Sequence, residues 1–145
     1  KKTRLMIVGV GDLKGELVQL SKEEGVVDRV IWVGQSGDVP AMLSAFDIYV
    51  QASRWETLSL TSLEALANGL TVISSNTQGA EEIAQYSRNI ITFSEYTPEC
   101  AAETIESHLD GIPCLETRNP DFPDIFTKDR MNNNYREVYA SLLGQ

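Results

Sequence analysis

The chain has 145 residues, 42% of them hydrophobic and 8% aromatic, with 12 Lys+Arg against 21 Asp+Glu for a net charge of −9. No apolar run approaches the roughly 20 residues needed to span a bilayer. So acidic a chain argues against general nucleic-acid binding by phosphate neutralisation and against adsorption to anionic lipid, leaving one globular domain large enough to hold a core without disulfides or metal.

Leu5-Met6-Ile7-Val8 is a branched apolar run stopped by Gly9-Val10-Gly11, the pattern of a buried strand ending in a glycine turn. From Asp12 to Glu24 the residues Leu13, Leu17 and Leu20 recur at helical spacing and Gly25 supplies a stop. Val30 to Val33 reads as a second strand ending at Gly34, Val39 to Phe46 as a short helix, and Ile48 to Val50 as a third strand. A polar loop, Gln51 to Thr57, leads into a helix over about Ser59 to Asn68, closed by Gly69. Thr71 to Ser74 is a fourth strand, Gly79 to Gln85 a short helix and Asn89 to Phe93 a fifth strand. Strict alternation of strand and helix predicts an α/β, Rossmann-like, doubly wound parallel sheet of about five strands, with ligands at the strands' carboxyl ends.

Beyond Phe93 the pattern changes. Residues 94–126 read as one helix, Glu99 to Leu109, followed by an irregular Pro-, Asp- and Asn-rich segment on the surface. Residues 127–145 form a C-terminal helix whose apolar face is Met131, Tyr135, Val138, Tyr139 and Leu142, despite a poor opening at Asn132-Asn133-Asn134. Cys100 and Cys114 are too widely spaced for a C-x-x-C motif, and with one histidine, His108, they build no zinc site. Free thiols in a reducing compartment follow. Lys1, Lys2 and Arg4 lead into no cleavage site, which points to the cytoplasm.

The stretch from Ser53 to Gly69 carries the chemistry. Glu56 falls in the loop at the carboxyl end of the third strand, and Glu64 lies inside the next helix. Ser59, Thr61 and Ser62 crowd that helix start, where free N–H groups and the positive end of the dipole suit a phosphate. Carboxylates flanking an anion site make sense for a ligand that also bears hydroxyls, since an ionised carboxylate only accepts and grips two sugar OH groups. Phosphates plus hydroxyls describe a nucleotide sugar.

Glu56-x7-Glu64, followed by Ala65-Leu66-Ala67-Asn68-Gly69-Leu70-Thr71-Val72-Ile73 and by Gln78-Gly79-Ala80-Glu81-Glu82-Ile83, resembles the C-terminal donor-binding domain of retaining GT-B glycosyltransferases of family 4. The strand patterns from Leu5, Val30 and Phe46 match that family in the same order, so the resemblance covers about Arg4 to Phe93. It implies that Glu64 binds ribose hydroxyls and that Glu56 contacts the donor sugar at the reacting carbon as the catalytic residue. Thr57, Leu58 and Ser59 would present amides to the diphosphate or sugar, and Gly34 and Gln35 would pass the nucleobase. Arg54 is a candidate phosphate partner, and Gly9 and Gly11 candidate close-approach positions. No metal or other cofactor is implied, since dipoles and basic side chains stabilise the departing nucleoside diphosphate.

Two departures stand out. Family members commonly carry Gly-Phe-Gly where this chain has Thr57-Leu58-Ser59, restricting a backbone that must approach the ligand. The family's domain also opens with a strand and helix bearing an Arg and a Lys that clamp the diphosphate, and no matching pair occurs at Lys1-Lys2. The sequence therefore reads as a partial donor domain, residues 1–145, lacking its first strand-helix unit and the acceptor-binding N-terminal domain. The function implied is hexosyl transfer from a nucleotide sugar to a polysaccharide or glycolipid acceptor, with this piece alone inactive. The site is cytoplasmic, or peripheral at the inner membrane face in the whole protein. The alternative is a non-catalytic, degenerate scaffold subunit; a sugar-phosphate synthase or nucleotide-sugar epimerase of the same fold comes third. Trp55 is weighed as a sugar platform but expected to be packed, His108 as a surface histidine, and Glu81 and Glu82 as dipole-favoured acids at a helix start.

Overall fold

The computed structural model describes residues 3–111, 118 and 120–144; Cys114 and the helix stop expected at Ile112-Pro113 lie outside them. The five expected strands are present and all paired strands are parallel. They form two sheets, one of two strands and one of three, in place of the single sheet expected. The chain divides correspondingly into two compact units, Lys1–Met42 and Leu43–Gln145.

The first unit is a βαβ motif. Strand β1 (Leu5–Val8) pairs with β2 (Val30–Gly34), Leu5 opposite Val30 and Ile7 opposite Trp32, with a register shift between Ile7 and Val8. Helix α1 (Lys14–Glu23) connects them. The spacing of Leu13, Leu17 and Leu20 is helical as expected, yet these residues are exposed, and the buried residue of α1 is Ser21, whose hydroxyl donates to Val18 O. So short a unit has too much surface for its volume to close a core of its own. Helix α2 (Val39–Ser44) runs across the boundary, and its Leu43 is fully buried.

In the second unit β4 (Thr71–Ser75) lies between β3 (Ile48–Gln51) and β5 (Ile90–Phe93). A central parallel strand is covered on both faces and therefore carries consecutive buried residues; Val72, Ile73, Ser74 and Ser75 are all buried. Helix α3 (Leu60–Ala67) packs Leu63 and Leu66 inward, three residues apart on one face. Each fully buried aliphatic side chain here contributes about 1.5–3 kcal/mol. Gly69, at φ +72°, ends α3 in the left-handed conformation and lets Leu70 N–H reach Ala65 O at 3.0 Å. Helix α4 (Gln78–Ala84) adds the buried Ile83.

Beyond β5, helix α5 (Pro98–His108) is capped by Thr97, which accepts from Cys100 N–H; Cys100 is a free thiol. Among the described residues His108 bonds within its own helix turn, through Thr104 O and the Ser107 hydroxyl. The segment expected to lie on the surface is partly inserted. Arg118, with its side chain 6% exposed, donates to the carbonyls of Ser44 and Phe46 beside Asp47. Asp121 N–H donates to Leu66 O and its carboxylate accepts from Ser87 Oγ at 2.6 Å. These polar side chains satisfy carbonyls and hydroxyls at the ends of the core elements, which a solvated loop would leave to water. The last helix, α6 (Lys128–Leu143), opens earlier than the asparagines suggest because Thr127 accepts from Arg130 N–H. Its apolar stripe is exposed along its length. No helix of the described residues is long and apolar enough to cross a membrane.

Candidate functional site

The loop between β3 and α3 is built from its last strand residue outward. Gln51 ends β3 and is only 7% exposed. Its Oε1 accepts from Ser59 Oγ and Ser62 Oγ, each at 2.5 Å, while its Nε2 donates to Glu56 Oε2 at 3.3 Å and to Ser53 Oγ at 3.4 Å. Ser59 also accepts from Ser62 N–H at 3.1 Å and so caps α3. One buried amide thus joins the strand end, the candidate catalytic carboxylate and the first turn of α3.

Glu64 lies on the exposed side of α3, at the start of its second turn. Burial holds the Tyr49 phenol above its ordinary value of 10.0; a hydrogen bond with Thr61 opposes this, and the negative charges of Glu56 and Glu64 add to it. Both glutamates of the motif thus bear electrostatically on Tyr49, the second residue of β3. Between them, the first turn of α3 contains no acidic residue, and the N–H groups of Leu60 and Thr61 have no acceptor within the helix. That arrangement suits an anion with hydroxyl-bearing groups on either side.

The loop backbone is clamped from a second direction. Gly79 donates its N–H to Glu56 O at 3.2 Å, and a Cβ built on it would lie 2.5 Å from Thr57 O and 3.0 Å from Leu58 Cα. Helix α4 can approach the Thr57-Leu58 backbone only through glycine. Thr57 and Ser59, which stand where the family's glycines fall, have no positive φ, so their side chains impose no backbone strain there.

On the other side of the loop a cavity of about 310 Å³ opens at the ends of β3, β4 and β5. Arg54 lines it, stacked 5.3 Å from the centroid of the Tyr96 ring, and the Tyr96 hydroxyl donates to Ala52 O at 2.7 Å. Trp55, expected to be packed, is 91% exposed. The reason is local. Ser75 Oγ donates to Ser53 O at 2.5 Å and Gly79 N–H holds Glu56 O, so Arg54 and Trp55 form the apex between two pinned carbonyls.

Of the residues singled out from the sequence, Glu56, Glu64, Thr57, Leu58, Ser59 and Arg54 all belong to the second unit, and the first five gather at the β3–α3 junction. Gly9, Gly11, Gly34 and Gln35 belong to the first unit, where Gly9 N–H donates to Gly34 O at 2.7 Å and ties the ends of β1 and β2. Gln51 and Tyr49 were not singled out as site residues. A glutamine at the end of the apolar run Ile48-Tyr49-Val50 was the available signal, because a polar residue on a buried parallel strand needs partners.

Known proteins match this chain in both sequence and fold. The lipopolysaccharide core biosynthesis mannosyltransferase LpsB of Rhizobium meliloti (strain 1021) is 33% identical over 108 residues, which cover 74% of this chain and 29% of LpsB. The Vi polysaccharide biosynthesis protein VipC/TviE of Salmonella typhi is 35% identical over 80 residues, 55% of this chain and 14% of that protein. This chain thus spans less than a third of the length of either relative. In fold, the apo lipopolysaccharide outer core galactosyltransferase WaaB superposes with a TM-score of 0.74 at 19% identity, covering 95% of this chain and 40% of that one. Anabaena Alr3699/HepE in complex with UDP superposes with a TM-score of 0.72 at 19% identity, covering 96% and 41%. Residues 1–119 match the family described as Glycosyl transferases group 1, and the chain belongs to that family.

Proposed function

We propose that this domain binds a nucleotide sugar and serves, in the whole protein, a glycosyltransferase that moves a hexose-type sugar onto a polysaccharide or lipid-linked glycan. The observation that carries the reading is the α3 start: a first turn free of acidic residues, capped by Ser59 and tied through Gln51 to the Glu56 carboxylate, with Glu64 on the exposed side of the same helix. In this reading the N–H groups at the α3 start and the Thr57-Leu58-Ser59 backbone hold the diphosphate. Glu64 accepts from ribose hydroxyls, and Glu56 accepts from hydroxyls of the donor sugar beside the carbon that changes partners. Fixed N–H donors stabilise charge as it collects on the departing nucleoside diphosphate, without metal. Gly34 and Gln35 pass the base, with Gly9 and Gly11 at the neighbouring strand end and Arg54 assisting a phosphate. LpsB and WaaB, by their names, act in lipopolysaccharide biosynthesis, which supports a glycan acceptor engaged through a further domain and a cytoplasmic site of action, peripheral to the inner membrane face.

The glycine-poor loop that favoured a degenerate scaffold has lost its force, since Thr57 and Ser59, in place of the family's glycines, have no positive φ. The decisive experiment is calorimetric titration of the full-length protein with UDP, GDP and ADP. One of them binds, and Glu64→Ala weakens it about ten- to a hundredfold, the loss of hydrogen bonds to a charged acceptor. Absence of binding by all three, or binding indifferent to Glu64→Ala, overturns the proposal.

A further inference from the structure

We infer that Gln51 is a positioning residue for Glu56, setting the direction in which its carboxylate meets the donor; this rests on the reading of Glu56 given above. The orientation of the Gln51 amide is determined by its neighbours. Ser59 Oγ already accepts from Ser62 N–H, so its own proton goes to Gln51, and Ser62 Oγ donates to the same oxygen. Turning the amide over would ask Ser59 Oγ to accept a second time and would set a carbonyl oxygen against Glu56 Oε2. With Oε1 held by two hydroxyls, Nε2 has one direction left, toward Glu56 Oε2 and Ser53 Oγ. Gln51 is buried and ends a strand paired with β4, opposite Ser74, so the donor sits on a rigid element rather than on the loop it restrains. Glu56 thereby takes its position from the α3 cap, and movement of the diphosphate-binding turn and of the carboxylate become one movement.

The link separates from a merely structural role by substitution. Gln51→Glu keeps an oxygen for both serine hydroxyls and the α3 cap, but replaces the donor facing Glu56 with an acceptor. Gln51→Met removes both functions at similar size. The first measurement is the Gln51 side-chain amide resonance in 15N spectra of the full-length protein. Glu56→Ala shifts it, and Glu64→Ala leaves it in place. An amide indifferent to Glu56→Ala overturns the inference, whether or not any nucleotide binds. The second measurement is release of the nucleoside diphosphate from a panel of UDP-, GDP- and ADP-sugars. Gln51→Glu lowers kcat about tenfold or more while nucleoside diphosphate affinity stays within about twofold, and it adds nothing on top of Glu56→Ala. Additive effects, or Gln51→Glu turning over at the wild-type rate, would sink the assignment even with the donor site intact. Failure of every nucleotide to bind, with the amide still coupled to Glu56, counts against the donor reading alone.

Discussion

Gly79→Ala tests the packing that shapes the site. The added methyl would stand 2.5 Å from Thr57 O and 2.8 Å from Thr57 C, where ordinary contact begins at 3.4 Å. Both atoms are backbone, so no side-chain rotation relieves the overlap, and helix and loop must separate by nearly an ångström. Overpacking of this kind costs about 1–3 kcal/mol. Separation also stretches the 3.2 Å bond from Gly79 N–H to Glu56 O, and a lost hydrogen bond adds about 1 kcal/mol. The expected destabilisation is therefore about 2–4 kcal/mol, read from the urea midpoint at unchanged slope. Because the displaced atoms belong to the residues proposed to face the diphosphate, nucleoside diphosphate affinity falls as well. A variant that unfolds at the wild-type urea concentration and binds with wild-type affinity would refute the contact between α4 and the Thr57-Leu58 backbone.

Gly15→Ala is the opposite case: nothing lies within 4 Å of the added Cβ, and the residue sits inside α1. In this first turn it should stabilise the helix by up to about 0.5 kcal/mol, the low end of the mid-helix value, seen as up to about twofold slower amide exchange in α1. Tyr49 links the site to pH. Its folded-state value is raised, so above pH 10 the unfolded chain loses the phenolic proton while the folded chain keeps it, and stability drops as pH rises through the folded value. Subtracting unfolding free energies of Tyr49→Phe from those of wild type between pH 8 and 11 isolates this; a difference independent of pH would contradict it.

Periodicity and punctuation in the sequence were enough to place the secondary structure. Branched apolar runs marked all five strands, the first two of them stopped by Gly9 and Gly34, because local geometry and burial leave a repeat that survives in one dimension. The Glu56-x7-Glu64 spacing likewise placed two carboxylates at one strand-to-helix junction. Where repeats depend on what covers them, the sequence misled: Leu13, Leu17 and Leu20 have core spacing and lie exposed, and Trp55 projects outward because two carbonyls are pinned on either side of it.

The β–α alternation determined an α/β domain, and the Glu56-x7-Glu64 spacing made the strand end after β3 the candidate ligand edge. Only the tertiary structure decided which groups meet there. Gln51 reaches Ser59 and Ser62 across a turn, and Gly79 meets Thr57 from a different helix. Such contacts join residues up to 22 positions apart through strand pairing and helix packing, so no local pattern records them. The charges that make the site were legible one residue at a time; the amide and the glycine that hold them in place became visible only once the chain had closed on itself.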